Sequence, residues 1–216
     1  MTHKHADVPT FDKAFWDARY READVLWSGH ANPVLVAEVS DLPPGTALDI
    51  GSGEGADAIW LAARGWRVTG LDVSDVAVER AAAHAATAGV GDRITWLQAD
   101  LTIDTPVGGG IDGGFDLVTA QFMHLPSEQR RALHRRLAAA VAPGGTLLVV
   151  GHHPSDLETI PRPPVPDLFF TAPDVAAELD PSQWTVLLDE ARPRSAVHPE
   201  GHTVTIHDTV LLARRT

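Results

Sequence analysis

Gly51, Gly53 and Ala56 stand in the spacing G-x-G-x-x-A, and Asp72 follows about 20 residues later. Glycines so placed let backbone approach a ligand that a β-carbon would hold off. An acid at that distance suits ribose hydroxyls. Taken alone, the pattern reads as a dinucleotide fingerprint. Its neighbours argue against a pyrophosphate: Asp49 precedes the first glycine by two residues, and Glu54 and Asp57 crowd the loop. Three carboxylates beside the helix N-terminus that would cradle phosphates are unfavourable. A ligand without phosphates and with a positive charge suits the same loop. Asp100, read as the end of the third strand in "ITWLQADL", places a further acid where an adenine amino group could be read.

These residues need elements to position them. Short apolar runs occur at 46–50, 66–71, 93–97, 115–120 and 145–151, separated by helical stretches near 55–64, 75–88 and 127–141. Leu133, Leu137 and Val141 form one stripe at i, i+4, i+8. Such alternation predicts a mostly parallel sheet with helices on both faces, and ligands of these sheets bind at the carboxyl ends of the strands. Phe11, Phe15, Trp16, Ala18 and Tyr20 predict a helix near 10–22, and "NPVLVAEVSDLPPG" a second, shorter one. "LAAAVAPGGTLLVV" delivers the fifth strand through a Pro-Gly-Gly turn. "DTPVGGGIDGG" (104–114) reads as a surface loop, and the proline-rich 152–170 is long enough for a lid or an ordered excursion. The two last strand-like runs follow each other without a helix and must pair antiparallel, which a doubly wound dinucleotide domain does not have.

A chain of 216 residues suits one α/β domain. The organisation expected is an N-terminal helical cap (1–44), a cofactor-binding core (45–151), the candidate lid (152–170) and a C-terminal helix and hairpin (171–216). The formal charge of −12 disfavours a sequence-independent phosphate-binding surface, and hence nucleic acid as a partner. The absence of cysteine removes disulfides, thiolate metal sites and a cysteine nucleophile together. No apolar segment suggests a signal peptide or a membrane span, so a cytoplasmic location is expected.

Residues 46–151 with the terminal hairpin resemble a class I S-adenosylmethionine-dependent methyltransferase. "LDIGSGEG" is similar to the family's first motif, and "VTGLDVS", "LQADL", "FDLVTAQ" and "APGGTLLVV" follow at its later motif positions in order. The resemblance implies a Rossmann-like, mostly parallel seven-stranded sheet with a C-terminal antiparallel hairpin. It implies S-adenosyl-L-methionine as cofactor, with Gly51, Ser52 and Gly53 against its methionine part and Asp49 helping to hold the amino group. It places Asp72 on the ribose, Val73 beside the adenine, Asp100 on the adenine amino group, a backbone amide of Leu101 at the ring, and Gln121 near the methionine end. Acids at strand ends also cap helices, and for Asp49 a purely structural part stays open.

"FWDARY…LWSGHANPVL" looks like the small-molecule branch that includes thiopurine and tellurite-detoxifying methyltransferases, where an N-terminal helix and a Trp-x-x-Gly-like segment cover the cofactor. Trp27, Ser28 and Gly29 would take that place, with Trp27 lining the acceptor pocket. A small-molecule acceptor of thiol, thione or chalcogen type follows from that likeness alone. An O- or N-acceptor, a non-catalytic binding protein and a nicotinamide oxidoreductase stay open, as does a homodimer. His124 after the fourth strand, and His152 and His153 after the fifth, lie on the ligand-binding edge. His124 and His152 are the candidates for a base and His153 for acceptor binding, although adjacent residues on a strand end point to opposite sides. His202 and His207 could join them around a metal, but no spacing asks for one, and none is expected.

Overall fold

The computed structural model describes residues 11–100, 113–163 and 165–216; most of the glycine-rich stretch 104–114 falls outside them. The five apolar runs become β1 (Thr46–Ile50), β2 (Arg67–Asp72), β3 (Ile94–Gln98), β4 (Phe115–Gln121) and β5 (Val141–His152). Between and around them lie α1 (Lys13–Arg21), α2 (Pro33–Val39), α3 (Ala56–Ala63), α4 (Asp75–Thr87), α5 (Ser127–Ala140) and α6 (Ala172–Ala176). The chain ends in the hairpin β6 (Trp184–Val197) and β7 (Thr203–Arg215). The sheet runs β3-β2-β1-β4-β5-β7-β6, with β1 to β5 parallel and β7 antiparallel to both its neighbours. This is the α/β architecture that the alternation predicts.

Strand alternation builds the two layers. On β5, Leu147 and Val149 pack with Leu133 and Leu137 of α5 on one face, while Leu148 and Val150 pack with Leu35 of α2 and Leu61 of α3 on the other. Each such burial is worth about 1.5–3 kcal/mol. β1 sits between β2 and β4, so the strand order reverses there, and the carboxyl ends of strands at such a reversal are where open α/β sheets form their ligand crevice. The loops after β1 and β4 flank it.

One expectation changes. Pro143, Gly144 and Gly145 do not precede the fifth strand but lie inside it: β5 starts at Val141, directly after α5. Phe115 pairs with Val141 and Leu117 with Thr146, so the strand absorbs its extra residues as a bulge, which the positive φ of 79° at Gly144 permits. The 152–170 segment contains two 3-10 turns, Pro154–Glu158 and Pro166–Leu168. No helix among the described residues is long and apolar enough to cross a membrane.

Candidate active site

The loop after β1 is tied down before any ligand arrives. Gly51 and Ser52 donate their N–H groups to Leu71 O at 2.8 and 3.0 Å, binding it to the end of β2. Asp72 completes the clamp: its Oδ2 accepts Gly53 N and its Oδ1 accepts Ser74 N, both at 2.9 Å. The α4 cap is Ser74, whose Oγ accepts Ala77 N at 3.2 Å, so Asp72 is not the helix cap. Gly51 has φ +68°, and a β-carbon there would collide with Met123 Sδ. At Gly53, φ +53°, a β-carbon would stand 3.1 Å from Tyr20 Oη and 3.3 Å from Trp27 Nε1.

Asp49, at the end of β1, is 1% exposed and its Oδ2 has no partner. Burial, then the nearby charges of Asp57 and Asp72, holds its carboxyl well above the usual range. Burial likewise raises Asp57 to about 6, although Asn32 N donates to it at 2.6 Å. Asp72 is raised by burial and partly relieved by its backbone donors. Three carboxyl groups thus crowd one another at the crevice, each held above its ordinary range. Ser52 Oγ and Gln121 Oε1 are also buried without partners, while Gln121 Nε2 donates to Thr119 Oγ1 at 2.6 Å.

Glu54 proves to belong elsewhere. Its Oε2 accepts Leu26 N and Trp27 N at 3.1 and 3.2 Å, and its Oε1 accepts Arg80 Nη1 at 3.0 Å. Arg80 also donates to Ala23 O at 2.8 Å. Together they staple the 23–27 segment onto the glycine loop. Trp27 is half-exposed there, its Nε1 donating to Tyr20 Oη at 3.0 Å. Ser74 Oγ donates to Asp17 at 2.6 Å, joining α1 to the start of α4. Glu54 stood out in the sequence only as a neighbour of the loop and Tyr20 only as part of a helical stripe; Arg80 carried no signal, because its partners Ala23 and Glu54 lie far away in the chain.

The second half of the crevice follows β4. Phe122 has φ +56°, an uncommon conformation for a bulky residue and one that clusters at functional sites. His124 Nε2 accepts His152 N at 3.2 Å, and the two rings stack at 4.7 Å and 14°. Phe122 lies 4.7 Å from the His152 ring and Phe169 6.2 Å from that of His124. Arg162 Nη2 donates to His152 Nδ1 at 3.2 Å and to the fully buried Asp156 at 2.9 Å. His153 turns the other way. Its Nδ1 accepts Ser155 N at 3.2 Å and its ring stands 6.2 Å from that of His207. His202 instead stacks on His198 at 4.6 Å, at the hairpin tip. With Glu200 these form a group whose ligand atoms lie within 4.8 Å of one another, as a metal site would need. The crevice therefore gathers Asp49, Gly51, Ser52, Gly53, Asp72 and Gln121, with His124 and His152 stacked beyond β4. Val73 and Asp100 follow β2 and β3 at the same edge; Leu101 lies outside the described residues.

Comparisons with known proteins agree with this geometry. A methyltransferase-domain family profile matches residues 47–145. A solved structure concerned with conversion of a disulfide bond into a thioacetal group during echinomycin biosynthesis aligns over 94% of this chain and 91% of its own, with TM-score 0.73 and 26% identity. In its core and its fold the chain is similar to the class I S-adenosylmethionine-dependent methyltransferases. Magnesium protoporphyrin IX methyltransferase from Synechocystis, with S-adenosylhomocysteine bound, shares the fold at TM-score 0.63 and 20% identity, covering 94% of this chain and 98% of its own. Curated relatives include the 2-heptyl-1-hydroxyquinolin-4(1H)-one methyltransferase of Mycobacteroides abscessus, 34% identical over 49% of this chain and 45% of that protein. Thiopurine S-methyltransferase of Gluconobacter oxydans is 29% identical over 62% of this chain and 68% of its own. The match spans about half the length of the first of these relatives.

The residues present fit the family's cofactor. S-adenosylmethionine carries an ammonium and a sulfonium, and the crevice offers the unpartnered Asp49 Oδ2 within an uncompensated cluster of acids. Bare glycine backbone at 51 and 53 leaves room for close approach.

Proposed function

We propose that this chain transfers a methyl group from S-adenosylmethionine to a small-molecule acceptor by direct in-line displacement. The observation that carries the reading is the pairing, at the switch point of the sheet, of a cation-seeking acid cluster with a separate aromatic and histidine-lined region after β4. When bound, the cofactor supplies the methyl group and a neutral thioether leaving group. Gly51, Ser52 and Gly53 hold the methionine part through backbone, Asp49 takes the ammonium, and Gln121 closes over it. Asp72 uses its remaining lone pairs for the ribose hydroxyls, beside Val73, and Asp100 reads the adenine. Most of the acceleration comes from alignment and exclusion of water rather than from covalent catalysis.

The acceptor lies on the side of Phe122, His124, His152 and Phe169, with Trp27 at the rim of the cofactor side. Arg162 and Asp156 of the 152–170 segment already touch this region, which suits that segment to a covering part. A thiol, thione or chalcogen acceptor draws support from the names of the thiopurine and thioacetal relatives. The quinolone relative draws attention to an acidic N-hydroxyl as well. Calorimetric titration with S-adenosylmethionine, S-adenosylhomocysteine and NADH tests the cofactor, with micromolar binding of the first two expected and none of the third. An acceptor screen beginning with thiols then tests transfer. Binding of NADH alone would overturn the reading.

A further inference from the structure

We propose that neither His124 nor His152 acts as a base, so that the acceptor is methylated as an anion formed before it binds. This rests on the methyl-transfer reading above and names its acceptor class. The argument begins with lone pairs. A neutral imidazole has one N–H and one acceptor nitrogen. His124 spends its acceptor, Nε2, on the backbone N–H of His152 at 3.2 Å, which places its proton on Nδ1. His152 spends its acceptor, Nδ1, on Arg162 Nη2 at 3.2 Å. An arginine cannot give up that proton, so the His152 proton sits on Nε2. Neither ring therefore has a lone pair to receive a proton: the His124 N–H is held by the Phe122 backbone, and the Nε2–H of His152 is the one left to offer.

The surroundings hold this arrangement. Asp156, fully buried, accepts Arg162 and fixes it, and its Oδ1 also accepts His207 N at 2.9 Å. Two carboxylates also face His152 Nδ1, Asp208 at 3.9 Å and Asp156 at 4.0 Å, both farther than Arg162 Nη2 at 3.2 Å; Asp208 is itself bound by Arg194 at 2.8 Å. From the other side, burial, then the charges of His152, Arg162 and Arg130, pushes His124 down to about 3. Protonating Nε2 of His124 would also leave the His152 backbone N–H unpaired, a cost that folded proteins avoid.

The chemistry follows. In the displacement the acceptor lone pair forms the bond to the methyl carbon, and the carbon–sulfur bond breaks with its electrons going to sulfur. An anionic acceptor and a sulfonium become two neutral molecules, and no proton has to leave. A neutral alcohol or amine would have to shed a proton with no receiver among these groups. The acceptor class is thus an organic anion at neutral pH whose charged atom is the nucleophile, either a thiolate or an acidic N- or O-hydroxyl.

Long-range 1H–15N NMR on histidine-labelled protein at pH 7.5 reads the tautomers without any turnover. The expected result is the Nδ1–H form for His124 and the Nε2–H form for His152; the opposite form at either ring overturns the proposal. S-adenosylhomocysteine calorimetry on the same sample separates the two readings, because failure to bind would sink methyl transfer and leave the tautomer result standing. In the cofactor-loaded protein, an aromatic thiol, a nitrophenol and unsubstituted phenol serve as probes. Transfer to either ionised probe, with the pH–rate midpoint following the probe's own pKa, supports the anion; equal rates for phenol contradict it. His124→Gln keeps a donor and an acceptor but no titratable nitrogen. Whatever its rate, its pH–rate midpoint should still follow the probe's own pKa; a profile that loses this titration, with the loss of about 10²–10⁴-fold typical of a missing base, would refute the assignment.

Discussion

Asp72 shows how one carboxylate can serve the fold and the ligand together. Its two oxygens accept Gly53 N and Ser74 N, so it shapes the glycine loop and keeps further lone pairs, which the proposed function assigns to the ribose. Asp72→Asn should preserve the shape in part but remove the charge, and hydrogen bonds to charged groups are worth about 1.5–3 kcal/mol. Calorimetry should therefore find S-adenosylhomocysteine bound roughly ten- to a hundredfold more weakly; unchanged affinity would remove Asp72 from the ribose site. Asp57 behaves differently. Its folded pKa, about 6, lies above the unfolded carboxyl value, so the folded state holds the proton more tightly. Its effect on stability is absent at the acid end and grows unfavourable as pH rises from about 4 through 6. Asp57→Asn keeps an oxygen for Asn32 N and removes the charge. Thermal melts of the unliganded protein should show the variant equal to the parent near pH 4 and more stable near pH 7, a trade of function for stability of the kind expected at a ligand site.

At the scale of elements, the 23–32 segment is held on the core by few groups, and Glu54 is the central one. Leu26 N, Trp27 N and Arg80 all converge on its two oxygens. Glu54→Ala removes the acceptor for two backbone donors and the carboxylate partner of the partly buried Arg80, which keeps Ala23 O, a loss of about 1–3 kcal/mol per unsatisfied group. The segment should loosen, with faster hydrogen exchange at residues 23–32 and faster dissociation of S-adenosylhomocysteine, while the strand amides stay protected. Uniform loss of protection would mean that Glu54 supports the whole fold instead. None of this was legible in the sequence. Glu54 and Trp27 are 27 residues apart, and His124 and His152 are 28 apart, so no local pattern links them. The parallel core was legible because strand and helix periods are local properties. The Pro-Gly-Gly run misled for the same reason: turn chemistry is local, but β5 pairs on both sides and absorbs those residues as a bulge. The strand-end positions of the candidate cofactor residues could be read in advance because topology fixes the place of strand ends. The acceptor region could be read only as a set of histidines, since its meaning depends on which nitrogen meets which partner.

For the whole molecule, the acids of the crevice couple folding to the ligand. The chain carries a formal charge of −12, and Asp49, Asp57 and Asp72 lie together at the switch point with raised pKa values and no cation among the contacts described. A ligand that brings an ammonium to Asp49 favours the ionised carboxylates, so its binding should release protons and grow stronger with pH through the window set by Asp57, about 4 to 7. At a hundred times its dissociation constant, a ligand specific for the folded state adds about 2.7 kcal/mol. For a chain of this size that corresponds to a rise of roughly 5–10 °C in Tm. Thermal scans with S-adenosylhomocysteine at a fixed concentration should show that shift at pH 7.5 and a smaller one at pH 5. Adenosine, which lacks the ammonium, should shift Tm less and with little dependence on pH. Equal pH dependence for both ligands would place the linkage on the ribose acid, Asp72, and would take the ammonium away from Asp49.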